Sequence, residues 1–388
     1  MILACENSQM REFDVIILGA GIAGASLAWR LAGQRSVALL ERESQPGYHA
    51  TGRSAAMFME SYGPPMVRAL TRASRAFYEQ PPAGFAEVPL VHPRGVLYLA
   101  SPGQEAELAS TRSALASSCP DLVEWDAATT LARVPCLRPE MVHGALYDGG
   151  AQDLDVHALL QGFLRGFRRK AGAHSAELHT GVELTGARHD GQHWTLDFAD
   201  GQSLRARTVV NAAGAWADEL AALFGVQPIG LVPHRRSAFT FPVPEGLDAS
   251  GWPAVVGVDE SYYFKPDAGQ LLGSPANADA TVPHDVVPEE LDIAMGIHQI
   301  ESVTTLHIRR PGSTWAGLRS FVPDGEMVIG FDAHCPGFFW LAAQGGYGIQ
   351  SAAGASALAD ALVRGLPVPD ELQRQGVDPA ALSPARLR

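Results

Sequence analysis

Apolar positions gather between residues 13 and 18, FDVIIL, in a run short enough for a strand that is covered on both faces. Behind it the small and apolar residues recur with a helical period. A second apolar run, residues 37–40, then ends on an acid, Glu41. Strand, helix, strand is the order of a βαβ unit with parallel strands. Half of that pattern returns at 206–225, where a strand over 208–210 meets Asn211-Ala212-Ala213-Gly214 and a helix follows to Gly225. It returns again at 338–362: a strand over 338–342, the run Gln344-Gly345-Gly346-Tyr347-Gly348, and a long alanine-rich helix.

The intervening chain has a different period. Residues 95–100, 194–198, 237–241, 262–265 and 304–308 alternate or are rich in strand formers, and they predict strands of a mixed or antiparallel sheet. Proline-rich stretches at 81–82, 242–246 and 283–288 predict loops. Parallel-sheet signals at three separated places, with alternating segments between them, predict an α/β fold. It has a discontinuous Rossmann-like domain (residues 11–85, 148–224 and 317–388) and an inserted domain with a mixed or antiparallel β-sheet (86–147 and 225–316).

The first βα junction carries Gly19-x-Gly21-x-x-Gly24. Gly19 permits the tight turn off the strand, Gly21 lets backbone approach a pyrophosphate, and Gly24 lets helix and strand pack closely. The helix N-terminus offers unpaired N–H groups and partial positive charge to the phosphates. Glu41 is placed to accept from an adenosine ribose hydroxyl, and an acid there argues against a 2′-phosphate. In a chain with 40 glycines the motif alone says little, so its place between strand and helix carries the argument.

Charge and cysteines narrow the classes further. A formal net charge of −13 argues against nucleic acid and against anionic membrane surfaces. No stretch has the roughly 18 apolar residues of a membrane span. The first ten or so residues lack the pattern of a signal peptide and read as a loose extension. Cys5, Cys119, Cys136 and Cys335 are scattered without zinc spacing, which fits reduced thiols and a cytoplasmic location. The 13 histidines show no metal-ligand spacing, and no GxSxG, HExxH or GxxxxGK[ST] motif occurs, so no metal and no hydrolase machinery are expected. A cofactor with its own redox chemistry would need none of these.

Two arginines enter apolar segments: Arg236 in HRRSAF and Arg319 in TWAGLRSF. A buried arginine is costly unless paired, and it is also the preferred group for bidentate capture of a carboxylate. Structural ion pair and anion clamp both stay open on these grounds. Tyr62, Tyr263 and Tyr347 are candidate hydroxyl donors to the same anion, or packing residues.

Long strings complete the picture: ERESQPGYHATGRSAA (41–56), VVNAAGAWAD (209–218), RRSAFTF (235–241), DESYYFKPDAGQLLGSPANAD (259–279), TWAGLRSF (314–321) and FFWLAAQGGYGIQ (338–350). With them the chain resembles the D-amino-acid oxidase/glycine oxidase superfamily of flavoproteins from about Asp14 onward. Within that group it resembles the FAD-dependent D-arginine dehydrogenases. The resemblance implies oxidative deamination of a D-amino acid to a 2-oxo acid and ammonia through an imine, with hydride passing from Cα to flavin N5. It implies that Ala23, Glu41 and Arg42 hold the adenosine and pyrophosphate side, with Val182 at the adenine. His49, Ala50, Thr51, Gly52, Arg53, Ser54, Ala55 and Ala56 would wrap the flavin. Gly214 marks a second approach, while Gly345, Gly346, Tyr347, Gly348, Ile349 and Gln350 would meet the isoalloxazine. Arg236 and Arg319 match the pair that clamps the substrate carboxylate, with Tyr62 and Tyr263 beside it and the Gly346 carbonyl accepting from the amine.

The sequence departs from the D-arginine pattern in two places. No acid follows the turn at 91–96, VHPRGV, and Met57 and Met59 stand where the family has a histidine and a threonine. Methionine lines adaptable apolar pockets and offers no ionic contact. The expectation is a dehydrogenase shifted towards neutral or apolar D-amino acids, with Glu60 and Glu87 as acids still within possible reach of the pocket. The alternatives are an oxygen-using D-amino-acid or glycine/sarcosine oxidase, or a flavin-binding redox sensor without turnover. No cysteine occupies the stretch near 315–321 where family members with covalent flavin carry one, so FAD is expected to bind non-covalently. A quinone or other acceptor would take the electrons, and a monomer or weak dimer is expected.

Overall fold

The computed structural model describes residues 10–116, 118–170 and 174–388; the loose extension expected at the N-terminus lies outside these, apart from Met10. The first strand, Arg11–Leu18, pairs in parallel with Val37–Glu41 on one side and with Ser203–Asn211 on the other. Ala176–Thr180 extends the sheet beyond Val37–Glu41, and Phe338–Ala342 pairs with the C-terminal half of Ser203–Asn211. Val328–Phe331 closes that edge antiparallel. From the N-terminal half of Ser203–Asn211 the antiparallel pair Trp194–Phe198 and Leu184–His189 branches off.

Alternation along each parallel strand decides what covers it. Val15, Ile17, Val37, Leu39 and Phe339 face the helices Ile22–Leu31, Pro65–Glu79, Val156–Arg169 and Gly348–Arg364. Ile16, Leu18, Ala38, Leu40 and Trp340 face Trp194, Phe198 and the short helix Ala217–Leu223. Ile16 and Ile17 are both fully buried. Each such side chain contributes about 1.5–3 kcal/mol, so both faces hold the register.

The second sheet has Val232–Pro242 near one end, paired antiparallel with Thr314–Phe321 over its whole length and with Gln270–Ser274. It continues through Tyr263–Asp267 and Ala254–Gly257 to Val96–Ala100, Gly144–Asp148 and Val123–Asp126. One pair, Ala254–Gly257 with Val96–Ala100, is parallel, so the sheet is mixed. Helix Glu290–Val303 packs on one face through Ile293 and Ile300, against Phe239, Phe241 and Phe264. The other face turns towards the first domain. The division expected at 316/317 falls inside Thr314–Phe321, and that at 147/148 falls inside Gly144–Asp148. Both strands belong whole to the second sheet, because a cut there would sever a hydrogen-bonded ladder.

The strand expected at 304–308 does not form. Leu306 and Ile308 are buried and Thr305 and His307 exposed, so the alternation is real. The segment is extended but finds no ladder, only the isolated bridge Leu137↔Thr304. Alternation reports which side chains are covered, not whether the backbone has a neighbour. Among the described residues no helix is long and apolar enough to cross a membrane, and no group of His, Cys, Asp and Glu is assembled for a metal ion.

Candidate active site

A trough opens at the C-terminal ends of strands Arg11–Leu18, Val37–Glu41 and Ser203–Asn211, the usual ligand position in such sheets. Gly19 has φ +103°, and a Cβ on it would stand 2.4 Å from the Ala212 carbonyl oxygen. A Cβ on Gly24 would stand 1.9 Å from the Gly19 oxygen, so only glycine lets the helix sit this close to the turn. Gly21 caps the helix without a side-chain cap, and of the free N–H groups of the first turn Thr51 Oγ1 takes that of Ile22 at 3.0 Å. The Glu41 carboxylate accepts from Ala20 N–H at 2.8 Å and from Glu43 N–H at 3.0 Å. It braces the glycine turn and still lines the trough.

The wider compartment, about 350 Å³, is walled by Glu41, Arg42, His49, Val182 and Trp216 among others. Arg42 lies 4.7 Å over the Trp216 ring, and His49 packs on the same ring at 4.5 Å. A narrower recess of about 130 Å³ takes in Ala23, Ser54, Ala55, Gly346, Gly348 and Ile349. Both compartments touch Gly21, Ala50, Thr51, Arg53, Gly214 and Gly345, so the trough is continuous past the helix N-terminus. Two compartments with a glycine-lined waist at a helix dipole fit a two-headed ligand with a pyrophosphate at its centre. FAD has that form. The long helix Gly348–Arg364 also starts at this trough, again without a side-chain cap.

Several expected contact residues do not form the wall. Gly24 is taken up by helix packing. Gly52 N–H donates to the Gly47 oxygen at 2.9 Å, and Ala56 makes a left-handed turn at φ +54°. Gln350 is 3% exposed and points away: its amide donates to the Met59 and Tyr62 carbonyls at 3.2 Å and to Thr71 Oγ1 at 3.0 Å. Tyr347 stacks edge-on between Tyr62, at 5.0 Å, and Phe321, at 6.2 Å; burial raises its phenol. Met59 is buried in an apolar cluster against which Met57, Tyr62 and Val256 pack, and neither methionine lines the recess. Sequence reasoning missed Tyr48, Trp216, Leu318 and Gln344, which do line the trough. Trp216 follows Gly214 so closely that the glycine-containing turn could have drawn attention to it.

The recess ends on two arginines. Arg235 and Arg236 are neighbours on strand Val232–Pro242, so their side chains leave opposite faces. Arg235 turns to the helix side and pairs with Asp292 at 2.9 Å, Asp279 at 3.4 Å, and Glu289. Arg236 turns to the trough. It lies opposite Gly317, two residues from Arg319 on the same face of the paired strand, so the two guanidiniums are diagonal neighbours. Neither has a carboxylate partner among the described residues. Arg236 Nε donates to the Asn277 carbonyl at 2.5 Å, and Arg319 Nη1 donates to Tyr62 Oη at 3.1 Å. Burial lowers the Arg236 pKa, and the like charge of Arg319 lowers it further. Burial acts against Arg319 too, but the phenols of Tyr62 and Tyr263 outweigh it and leave that group above its usual value. Both remain cations at neutral pH. Tyr263 and Gly346 border the same recess, and the Gly346 carbonyl has no backbone donor among the described residues.

Nearby acids are mostly engaged. Glu60 binds Arg75 at 2.7 Å, and Asp153 binds Arg94 at 2.7 Å and the buried Lys265 at 2.8 Å. Glu87 is exposed and does not line the trough. Glu260, on a turn at φ +56°, has no ion pair among the described residues, and its charge supports the cationic form of Arg236.

Residues 14–361 match the family described as FAD dependent oxidoreductase (DAO). The chain is similar to human mitochondrial dimethylglycine dehydrogenase, 27% identical over 284 residues; this covers 70% of the chain but only 31% of that protein. It is also similar to hydrogen cyanide synthase subunit HcnC of Pseudomonas aeruginosa, 24% identical over 398 residues, 91% of this chain and 93% of the relative. The crystal structure of glycine oxidase from Geobacillus kaustophilus superposes with TM-score 0.82 at 21% identity, covering 96% of this chain and 98% of that one.

Proposed function

The chain belongs to the DAO family of FAD-dependent oxidoreductases, and from that premise we propose that it deaminates D-amino acids oxidatively, as a dehydrogenase. One observation carries the reading. Two partly buried arginines, without acidic partners among the described residues, stand together at one end of a trough whose other end is walled by Glu41, Val182 and Trp216. Two like charges partly withdrawn from water and held side by side repel each other, so the pair calls for an anion that arrives with the substrate. A carboxylate supplies it, with two oxygens for two planar forks. FAD, when bound, would supply the acceptor for the hydride that leaves Cα. Arg236 and Arg319 fix the carboxylate, Tyr62 orients Arg319, and Tyr263 borders the anion. The Gly346 carbonyl accepts from the substrate amine, which must be unprotonated to give an imine. The imine then hydrolyses to a 2-oxo acid and ammonia.

Neutral, apolar side chains are favoured by a recess whose lining, among the described residues, contains no acid, and by the engagement of Glu60 and Asp153 elsewhere. The D hand rests on the resemblance of the long strings. The test is anaerobic bleaching of the flavin by D-Met, D-Leu, D-Phe, D-Arg, D-Lys, glycine, sarcosine and the L-enantiomers. Neutral D-amino acids should bleach it with the highest kcat/KM. A dominant D-Arg would overturn the side-chain reading, and no bleaching by any of them would favour a redox sensor. The free Glu260 favours a second reading, in which basic side chains are accepted. Under it, Glu260→Gln should lower kcat/KM for D-Arg at least tenfold and leave D-Leu within twofold.

The relatives include a protein named as a dehydrogenase and one named as an oxidase. Oxygen uptake compared with reduction of an artificial dye, at equal substrate, separates the two, and the dye is expected to win. None of the cysteines among the described residues lines the trough. This supports the reading that no thioether holds the flavin. Acid precipitation is expected to release the flavin into the supernatant, and yellow protein pellets would refute non-covalent binding.

A further inference from the structure

The loop between strand Asp279–Ala280 and helix Glu290–Val303 leaves the second sheet and crosses to the wall of the trough. Its ends are held to the second sheet, by Thr281 N–H on the Pro233 carbonyl at 2.9 Å and by Glu289 on Arg235, and its middle is pinned at one point. Val286 is 4% exposed and packs with Ala215, Leu318 and Trp216, while Val282 and Val287 on either side are each 69% exposed. The pin is polar as well. Tyr48 Oη donates to Asp285 Oδ2 at 3.0 Å, and Arg53 Nη2 to Asp285 Oδ1 at 2.5 Å. Arg53 Nη1 donates to the Val286 carbonyl at 2.9 Å. Tyr48 and Arg53 belong to the stretch that borders both compartments, and His284 and Val286 form part of the wall on the other side. A single acid thus joins the two walls, with most of the loop between its anchored ends exposed around it.

We propose that residues 281–289 form a latch over the FAD trough, fastened by Asp285 to Tyr48 and Arg53, and that its opening sets how fast FAD enters and leaves. The proposal rests on the reading that this trough holds FAD. A latch differs from an ordinary contact in its kinetics. Loss of a contact made only in the bound state speeds departure alone, whereas loss of a latch speeds both departure and entry.

The experiment uses purified holoprotein diluted into buffer, with the rise of free-flavin fluorescence giving the dissociation rate. FAD-stripped protein mixed with FAD gives the association rate. Asp285→Asn should raise dissociation at least fivefold and association at least threefold, so that Kd changes less than either rate. Tyr48→Phe should move both rates the same way by less. A dissociation rate within twofold of wild type, or faster dissociation with unchanged association, would overturn the latch. Wild-type protein that binds no FAD would instead sink the reading of the trough, a result distinct from either.

Discussion

Arg319→Met is expected to lower kcat/KM for the best D-amino acid by roughly 30- to 4,000-fold, nearly all of it in KM. Truncating one partner of a desolvated, hydrogen-bonded charge pair costs about 2–5 kcal/mol, and each 1.4 kcal/mol is a factor of ten. The substrate carboxylate would keep Arg236 but lose the second fork. Methionine preserves the bulk of the side chain, so Gly346, which packs against the Arg319 guanidinium, keeps its neighbour. The same change should not harm the fold. Arg319 makes one side-chain hydrogen bond, to Tyr62, and no ion pair among the described residues, while its charge works against that of Arg236. Relief of the repulsion with Arg236 offsets the lost support from the phenols of Tyr62 and Tyr263, so Tm is expected to stay within a few degrees of wild type. An unchanged KM would refute the clamp. A KM effect with Tm falling by several degrees would make Arg319 a structural residue whose loss distorts the site. Steady-state kinetics and a thermal melt on one preparation separate the three outcomes.

The contrast between Arg235 and Arg236 shows what the sequence could and could not say. Both stand in the same apolar context, and only strand parity sends one to Asp292 and the other to the trough. The resemblance selected Arg236, and the pairing with Thr314–Phe321 supplies the physical reason. Local signals were legible wherever they depended on the chain's own period. The strand expected at 338–342 is Phe338–Ala342, and the βαβ unit stands with Gly19 and Gly24 in tight quarters and Gly21 facing the trough. What failed depended on partners far away in sequence. Gln350 lies in a glycine-rich junction that does reach the trough, yet its amide is claimed by carbonyls of Met59 and Tyr62, about 290 positions earlier in the sequence. Met57 and Met59 pack in an apolar cluster rather than in the wall of the recess. The segment 304–308 has strand alternation without a strand beside it. The latch joins residues more than 230 positions apart, and nothing in either stretch announces the other.

Gly24→Ala and Gly21→Ala are expected to fail differently, and the difference tests how the motif works. At Gly24 the new methyl would sit 1.9 Å from the Gly19 carbonyl oxygen and 3.2 Å from Ile17 Cγ2. Neither can retreat, because Gly19 is held between Leu40 and Ala212 at the strand ends. Helix Ile22–Leu31 would have to move outward by more than 1 Å to restore ordinary contact, and it would open its packing against Gly348–Arg364 and Val156–Arg169. Overpacking a tight interior costs about 1–3 kcal/mol, and a backbone oxygen at this distance puts the cost at the upper end or beyond. The same movement withdraws the first-turn N–H groups from the pyrophosphate. FAD content should therefore fall below a tenth of wild type, and the Tm of the FAD-stripped protein should fall by several degrees. Gly21 is different. Its φ of −71° suits alanine, and the nearest atom to a Cβ is Thr51 Oγ1 at 3.2 Å. That methyl enters the trough at its waist, where both compartments meet. Gly21→Ala should hold the stripped-protein Tm within about a degree of wild type while weakening FAD at least tenfold. Equal losses of stripped-protein Tm in the two variants would show that the glycines serve packing alone; FAD affinity intact in Gly21→Ala would show that the pyrophosphate lies elsewhere.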